Sequence, residues 1–208
     1  NAFLPRLEEI PKDIAWRAKY IMVSYPYNPV CAIAPPSFYE ELIAFAERYN
    51  IIVVHDNAYS DIIYDGHYGG SFLEYTRAKE VGIEAFSLSK SFNLTGARVS
   101  FLIGNREIIK PLKLLRSQYD FGMFAPIQKA AVAALTGPLE GVKTQCMAYQ
   151  ARRDALCGGL RSIGWNVPDS RGTMFAWARI PRGFSSSQDF CMELMERTGV
   201  ICTPGDAF

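Results

Sequence analysis

Histidine is scarce in this chain, at positions 55 and 67 only, and the five cysteines (31, 146, 157, 191 and 202) form no CxxC pair. Zinc sites need clustered thiolate and imidazole ligands, so no metal centre is expected. Scattered cysteines, odd in number, fit free thiols in a reducing compartment better than a disulfide framework. No apolar run approaches the roughly 18–20 residues of a membrane span. The opening, Asn1 to Lys12, lacks the charged-then-apolar order of a signal peptide. Charge of one sign is also missing: 22 Lys and Arg stand against 21 Asp and Glu. That balance leaves no field to gather nucleic acid or anionic lipid. The sequence has no Walker loop, no GxGxxG and no G-x-S-x-G elbow. A cytoplasmic protein with neither nucleic-acid nor membrane partners is expected. An initiator Met is absent, and the last residues, Thr203 to Phe208, read as the middle of a loop. The chain is therefore expected to be an excised piece of something longer.

Apolar residues make up 49% of the chain, enough for a proper core. Tyr20-Ile21-Met22-Val23-Ser24 is a short apolar run closed by turn residues, which suggests a buried strand. Ser37 precedes Glu40 by three positions, a capping-box start for a helix. Phe38, Leu42, Phe45 and Tyr49 give that helix one apolar face. Ile51 to Val54, closing at His55-Asp56, reads as a second strand. Strand, helix and strand make a βαβ crossover, with parallel strands buried on both faces. Further strands are predicted at Glu84–Leu88 and Val99–Ile103, and helices at 105–118 and 125–136. This alternation argues for an α/β fold with a mostly parallel sheet. After Gly137-Pro138 the pattern changes. Residues 140–163 read as one long helix, Thr173–Ile180 as a strand, Ser187–Thr198 as a helix closed by Gly199, and Val200–Cys202 as a short strand. A soft domain boundary is placed near residue 140.

In an open parallel sheet, ligands gather beyond the carboxyl ends of the strands. The residues found there are Asn28 in Ser24–Pro29, Asp56 and Tyr59 after the second strand, and Ser87, Ser89 and Lys90 after the third. Each has an ordinary role when taken alone. Asp56 can cap the following turn, Asn28-Pro29 is common turn chemistry, Tyr59 can be core, Ser87 and Ser89 can cap, and a lysine after a strand is usually a solvated charge. Together they bring an amide, a carboxylate, a phenol, hydroxyls and an amine to one edge.

That order, with Arg98 eight residues after Lys90, resembles the fold-type I, pyridoxal-phosphate-dependent aminotransferases of class I/II. The stretch from Ser87 to Arg98 (SLSKSFNLTGAR) is similar to the lysine signature of that family throughout. Gly172–Trp177 followed by Ile180-Pro181 resembles one of its small-domain strands, and Thr203-Pro204-Gly205 with Phe208 resembles the loop before its C-terminal segment. The stretch from Asn28 to Arg98 is most similar to bacterial LL-diaminopimelate and aspartate/alanine-type enzymes. The resemblance implies the C-terminal half of such an enzyme. Residues 1–140 would be the later part of the cofactor-binding large domain, and 141–208 the interdomain helix and part of an α+β small domain.

It also implies roles. Lys90 would carry pyridoxal phosphate as a Schiff base and then shuttle a proton. Asp56 would keep the pyridine nitrogen protonated. Asn28 and Tyr59 would hydrogen-bond the phenolic oxygen, and Ser87, Ser89 and Arg98 would hold the phosphate, Arg98 through its forked guanidinium. Substrates would be an amino acid and a 2-oxo acid, and the full-length protein a homodimer. Arg116 to Gly122 occupies the region that reaches toward the neighbouring subunit in this family, and reads equally as a helix end and loop. One departure is visible: the family's Asn-Pro-Thr-Gly is here Asn28-Pro29-Val30-Cys31. The family's glycine-containing phosphate loop, ring-stacking aromatic and carboxylate-clamping arginine fall outside this chain, and Arg179 and Arg182 are misplaced to replace the last. The piece alone is expected to be inactive. Two other functions fit the same scaffold, a C–S β-lyase and the effector domain of a transcription regulator.

Overall fold

The computed structural model describes residues 3–208. In chain order the elements are α1 (Lys12–Arg17), β1 (Tyr20–Ser24), α2 (Pro36–Tyr49), β2 (Ile52–Asp56), α3 (Ala78–Val81), β3 (Gly82–Ser87), α4 (Leu88–Ser91) and β4 (Ser100–Gly104). They are followed by α5 (Arg106–Tyr119), α6 (Ala125–Thr136), α7 (Glu140–Ser162) and α8 (Ser187–Thr198).

The four strands form one sheet in the order β1-β2-β3-β4. β1 and β2 pair in parallel with Ser24 opposite Asp56, and β2 and β3 pair in parallel with Asp56 opposite Ala85. β4 runs antiparallel to β3, with Ser87 opposite Ser100. The parallel strands thus end where β4 begins, and residues on both sides of that line share one rim.

The apolar stripe of α2 packs on the sheet as its spacing predicts. Phe38, Leu42 and Ala46 are buried with Val23, Val53 and Phe72 in the main core. Complete burial of a side chain such as Leu42 contributes about 1.5–3 kcal/mol. The helix stops at Asn50, whose left-handed backbone (φ 54°) turns its N–H onto the carbonyls of Ala46 and Glu47. A second cluster, Leu88, Val99 and Ala131 with Phe92, Phe101 and Ile127 packed against it, seats α6 beside the lysine segment.

Four expectations are corrected. The capping box at Ser37 does not form: the helix begins one residue earlier at Pro36, behind Pro35, with no side-chain cap. Proline at the first helical position presets the backbone angle and needs no N–H partner there. The sheet is not covered on both faces along β1, where Tyr20 and Met22 are 66% and 62% exposed. Thr173–Ile180 forms no strand; its neighbourhood makes one isolated bridge, Ile63 to Gly172. Val200–Cys202 is likewise not a strand. By contrast α8 spans the predicted residues, capped by the Ser186 hydroxyl at Asp189 N and closed by Gly199 at φ 74°.

Candidate active site

Lys90 lies on the single turn α4, where β3 ends. That turn is tied down from three sides. The Ser87 hydroxyl accepts from Ser89 N at 3.1 Å, Thr95 Oγ1 donates to Ser89 O at 3.0 Å, and Gln145 Nε2 on α7 donates to Lys90 O at 2.8 Å. Its backbone is therefore fixed while the side chain, half-buried, is left to point along the rim. The Lys90 ammonium sits 5.7 Å from the centroid of the Tyr59 ring. Such a cation–π contact is worth about 0.5–1 kcal/mol near a surface. No carboxylate among the described residues pairs with Lys90.

Tyr59 is buried and packs edge-on against Phe175, ring centroids 5.9 Å apart. Burial raises its phenol pKa, and the charge of Asp56 raises it further. The phenol thus stays protonated and acts as a donor. Asp56, at the last position of β2, is half-buried. One of its oxygens accepts from Ala58 N at 3.1 Å, so the turn-capping role is real; no cation among the described residues pairs with the carboxylate.

Amine, phenol and acid therefore share the rim, joined by Ser87 and by Ser89, which is 7% exposed. Asn28 and Arg98 come to the same edge of the sheet but remain exposed. Arg98 has a left-handed backbone (φ 53°) and donates from Nη1 to Thr95 O at 3.2 Å. Neither makes a hydrogen bond to the other five. Two concavities lie away from these residues. One of 210 Å³ is bounded by Cys31, Ser170 and Trp177, and one of 380 Å³ by Glu47, Glu74 and Arg77.

The unusual Cys31 explains itself in space. Its backbone takes φ 63°, the left-handed region where glycine is at ease. Its sulfur lies 3.1 Å from Pro29 O and 3.2 Å from Phe175 O, and accepts from Thr173 Oγ1 at 3.3 Å. Burial pushes this thiol pKa up, against the lowering effect of its contacts with Thr173 and Phe175.

A buried polar cluster beneath the rim escaped the sequence reading. Glu84 Oε1 accepts from His55 Nδ1 (2.7 Å), Asn57 Nδ2 (2.8 Å) and Phe72 N (3.1 Å), while Oε2 accepts from the Ser71 hydroxyl. The Tyr39 hydroxyl lies 3.3 Å from His55 Nε2. His55, Asn57 and Glu84 are all fully buried. The available signal was the two ionisable residues, His55 and Glu84, set in otherwise apolar strands, since buried charge must find partners. Burial pushes the Glu84 carboxyl pKa up, but the His55, Ser71 and Phe72 donors outweigh it and hold it below the usual 4.5. Between the two values the unfolded chain binds more protons than the folded one, so stability rises with pH there. The full-length protein is expected to lose stability as pH falls below about 4.5, and Glu84→Gln to flatten that acid limb. Urea midpoints measured across pH check it; equal slopes in both proteins would contradict it.

Comparison with known proteins follows from this geometry. The model of the aminotransferase class I and II family matches residues 1–208. The chain belongs to that family. It is 46% identical over its whole length to the LL-diaminopimelate aminotransferase of Halothermothrix orenii and 44% identical to that of Moorella thermoacetica. In each case it covers 53% of the relative, so the chain spans about half the length of the curated relatives it matches. Among solved structures, apo-BacF from Bacillus subtilis superposes with a TM-score of 0.93 at 38% identity, covering 99% of this chain and 55% of that one. A probable N-succinyldiaminopimelate aminotransferase from Thermus thermophilus gives 0.91 at 34%, with 99% and 55% covered. The α/β fold with a mostly parallel sheet is that of these neighbours. Among the described residues no helix is long and apolar enough to cross a membrane.

Proposed function

We propose that the full-length protein is a pyridoxal-phosphate-dependent aminotransferase and that this chain supplies the cofactor-anchoring lysine. The observation that carries the reading is the Lys90 ammonium, 5.7 Å from the Tyr59 ring centroid and without a carboxylate partner among the described residues, at the rim where Asp56 ends its strand. The donor set fits the cofactor. A primary amine, an acid with one oxygen accepting from Ala58 N, a protonated phenol and two hydroxyls meet at one edge.

When bound, pyridoxal phosphate supplies an electron sink conjugated to the substrate Cα. The protein's own groups do the rest. Lys90 Nζ would hold the cofactor and would supply the base that moves a proton at the substrate Cα. Asp56 would pair with the ring nitrogen and keep it protonated. Tyr59 and Asn28 would hydrogen-bond the cofactor's phenolic oxygen. Ser87, Ser89 and Arg98 would hold the phosphate; here the Arg98 guanidinium donates to Thr95 O.

In this reading residues 1–140 are large-domain scaffold, and 141–208 the interdomain helix with part of the small domain. The protein acts in the cytoplasm as a homodimer, supported by the exposed aromatics Tyr119 and Phe121 (84% and 87%). The relatives point to LL-diaminopimelate as the donor to test first. Purified full-length protein is expected to transfer its amino group to 2-oxoglutarate or pyruvate faster than it transfers that of other amino acids. Release of pyruvate and ammonia from cysteine conjugates, with no transfer to a 2-oxo acid, would overturn the assignment.

A further inference from the structure

We propose that Glu84 is a positioning residue for Asp56, acting through the two residues that flank it in the chain. The inference rests on the reading of Asp56 as the group that meets the ring nitrogen. Side chains alternate across a strand, so His55 and Asn57 point to one face of the sheet and Asp56 to the other. Both flanking side chains end on the same atom, Glu84 Oε1, at 2.7 and 2.8 Å. Asp56 thus has its backbone clamped before and after by a single carboxylate on the neighbouring strand.

The main chain adds to the clamp. Asn57 N donates to Ala85 O at 2.9 Å, and Tyr25 N donates to Asp56 O at 3.3 Å. The Asp56 side chain itself has one hydrogen bond, from Ala58 N. Where its free oxygen stands is therefore set largely by the backbone beneath it.

The location of Glu84 separates this role from general core cohesion. Stitching β2 to β3 could be done anywhere along the strands, and by apolar residues at lower desolvation cost. The cluster lies instead at the last residues of β2, where the ladder is ending and would otherwise fray. The groups facing Glu84 are His55 and Asn57 from β2 and its exit, and Ser71 and Phe72 N from the segment before α3. All four are donors, which suits an ionised carboxylate. Tyr39 of α2 closes the far side of His55.

The test uses the full-length holoprotein and three variants, Glu84→Gln, Glu84→Ala and Asn57→Ala. The readouts are the pH midpoint of the cofactor's visible absorption band, kcat and KM, and the melting temperature of the apoprotein. Glu84→Gln keeps an oxygen where Oε1 stands, and its midpoint is expected to match wild type. In Glu84→Ala, Asp56 wanders and the ring nitrogen loses its proton more easily. The midpoint is then expected to move up by about half a pH unit or more, and kcat to fall about tenfold or more with little change in KM. Asn57→Ala frees one flank only and is expected to give a smaller shift in the same direction. It decides the matter if Glu84→Ala does not fold. A folded Glu84→Ala or Asn57→Ala with a lower melting temperature but an unmoved midpoint would overturn the proposal, as would a shift in Glu84→Gln equal to that in Glu84→Ala. A wild-type protein with no cofactor band would instead bring down the aminotransferase reading itself.

Discussion

Replacing Lys90 with alanine is expected to leave a folded protein that no longer retains pyridoxal phosphate covalently. The side chain lies at the rim, half-buried, and the turn that bears it is held by Ser87, Thr95 and Gln145 through backbone atoms and neighbouring residues. None of those bonds uses the ammonium, and alanine is a good helix former. What is lost is the amine and its contact with Tyr59. Borohydride reduction of the wild type, followed by denaturation, should leave the cofactor on a peptide containing residue 90, and the variant should yield none. Transamination should fall by a factor of about 10³ or more, the scale of removing a group that acts both as nucleophile and as proton carrier. Reduced cofactor found on another lysine, or an unchanged visible band in the variant, would strip Lys90 of this role.

The largest stability effect is expected at Phe72. Its ring is fully buried in the main core, 6.1 Å from the His55 ring and 6.2 Å from that of Tyr39, while its backbone N–H feeds Glu84. It therefore joins the apolar packing of α2 to the polar cluster under the rim. Truncation to alanine removes the buried ring and leaves a void between α2 and the sheet, which such packing fills only in part. The expected loss is about 3–5 kcal/mol, against a total of about 5–15 kcal/mol for a typical domain. Urea unfolding of the full-length variant should show a lower midpoint with an unchanged slope. A loss below about 1 kcal/mol would mean that the neighbouring side chains can fill the space.

Much of this architecture is legible in the residues, for reasons that differ by element. Ile51 to Val54 and the stripe Phe38-Leu42-Phe45-Tyr49 announce strand and helix because burial imposes their periods. The helix Ser187–Thr198 is readable at both ends because its punctuation, Ser186 and Gly199, acts locally. Thr173–Ile180 misleads because a strand needs a partner as well as a composition, and partners are set by distant sequence. Ser37 misleads because two prolines settle the helix start first. The site divides in the same way. The linear order Asn28, Asp56, Tyr59, Ser87, Ser89, Lys90 and Arg98 can be read along the chain. The meeting of His55, Asn57, Ser71 and Phe72 on the carboxylate of Glu84 cannot, since it joins one strand to its neighbour and to a loop.

The reversal of the last strand has a further consequence. Because β4 turns back along β3, the guanidinium at 98 returns to the rim from which the amine at 90 departs. Their spacing is thus a closed stitch with Ser87 opposite Ser100 at its mouth. One residue gained or lost inside it would invert which way every side chain of the returning strand faces. The length of this segment therefore matters alongside the identity of its residues at 89, 90 and 98.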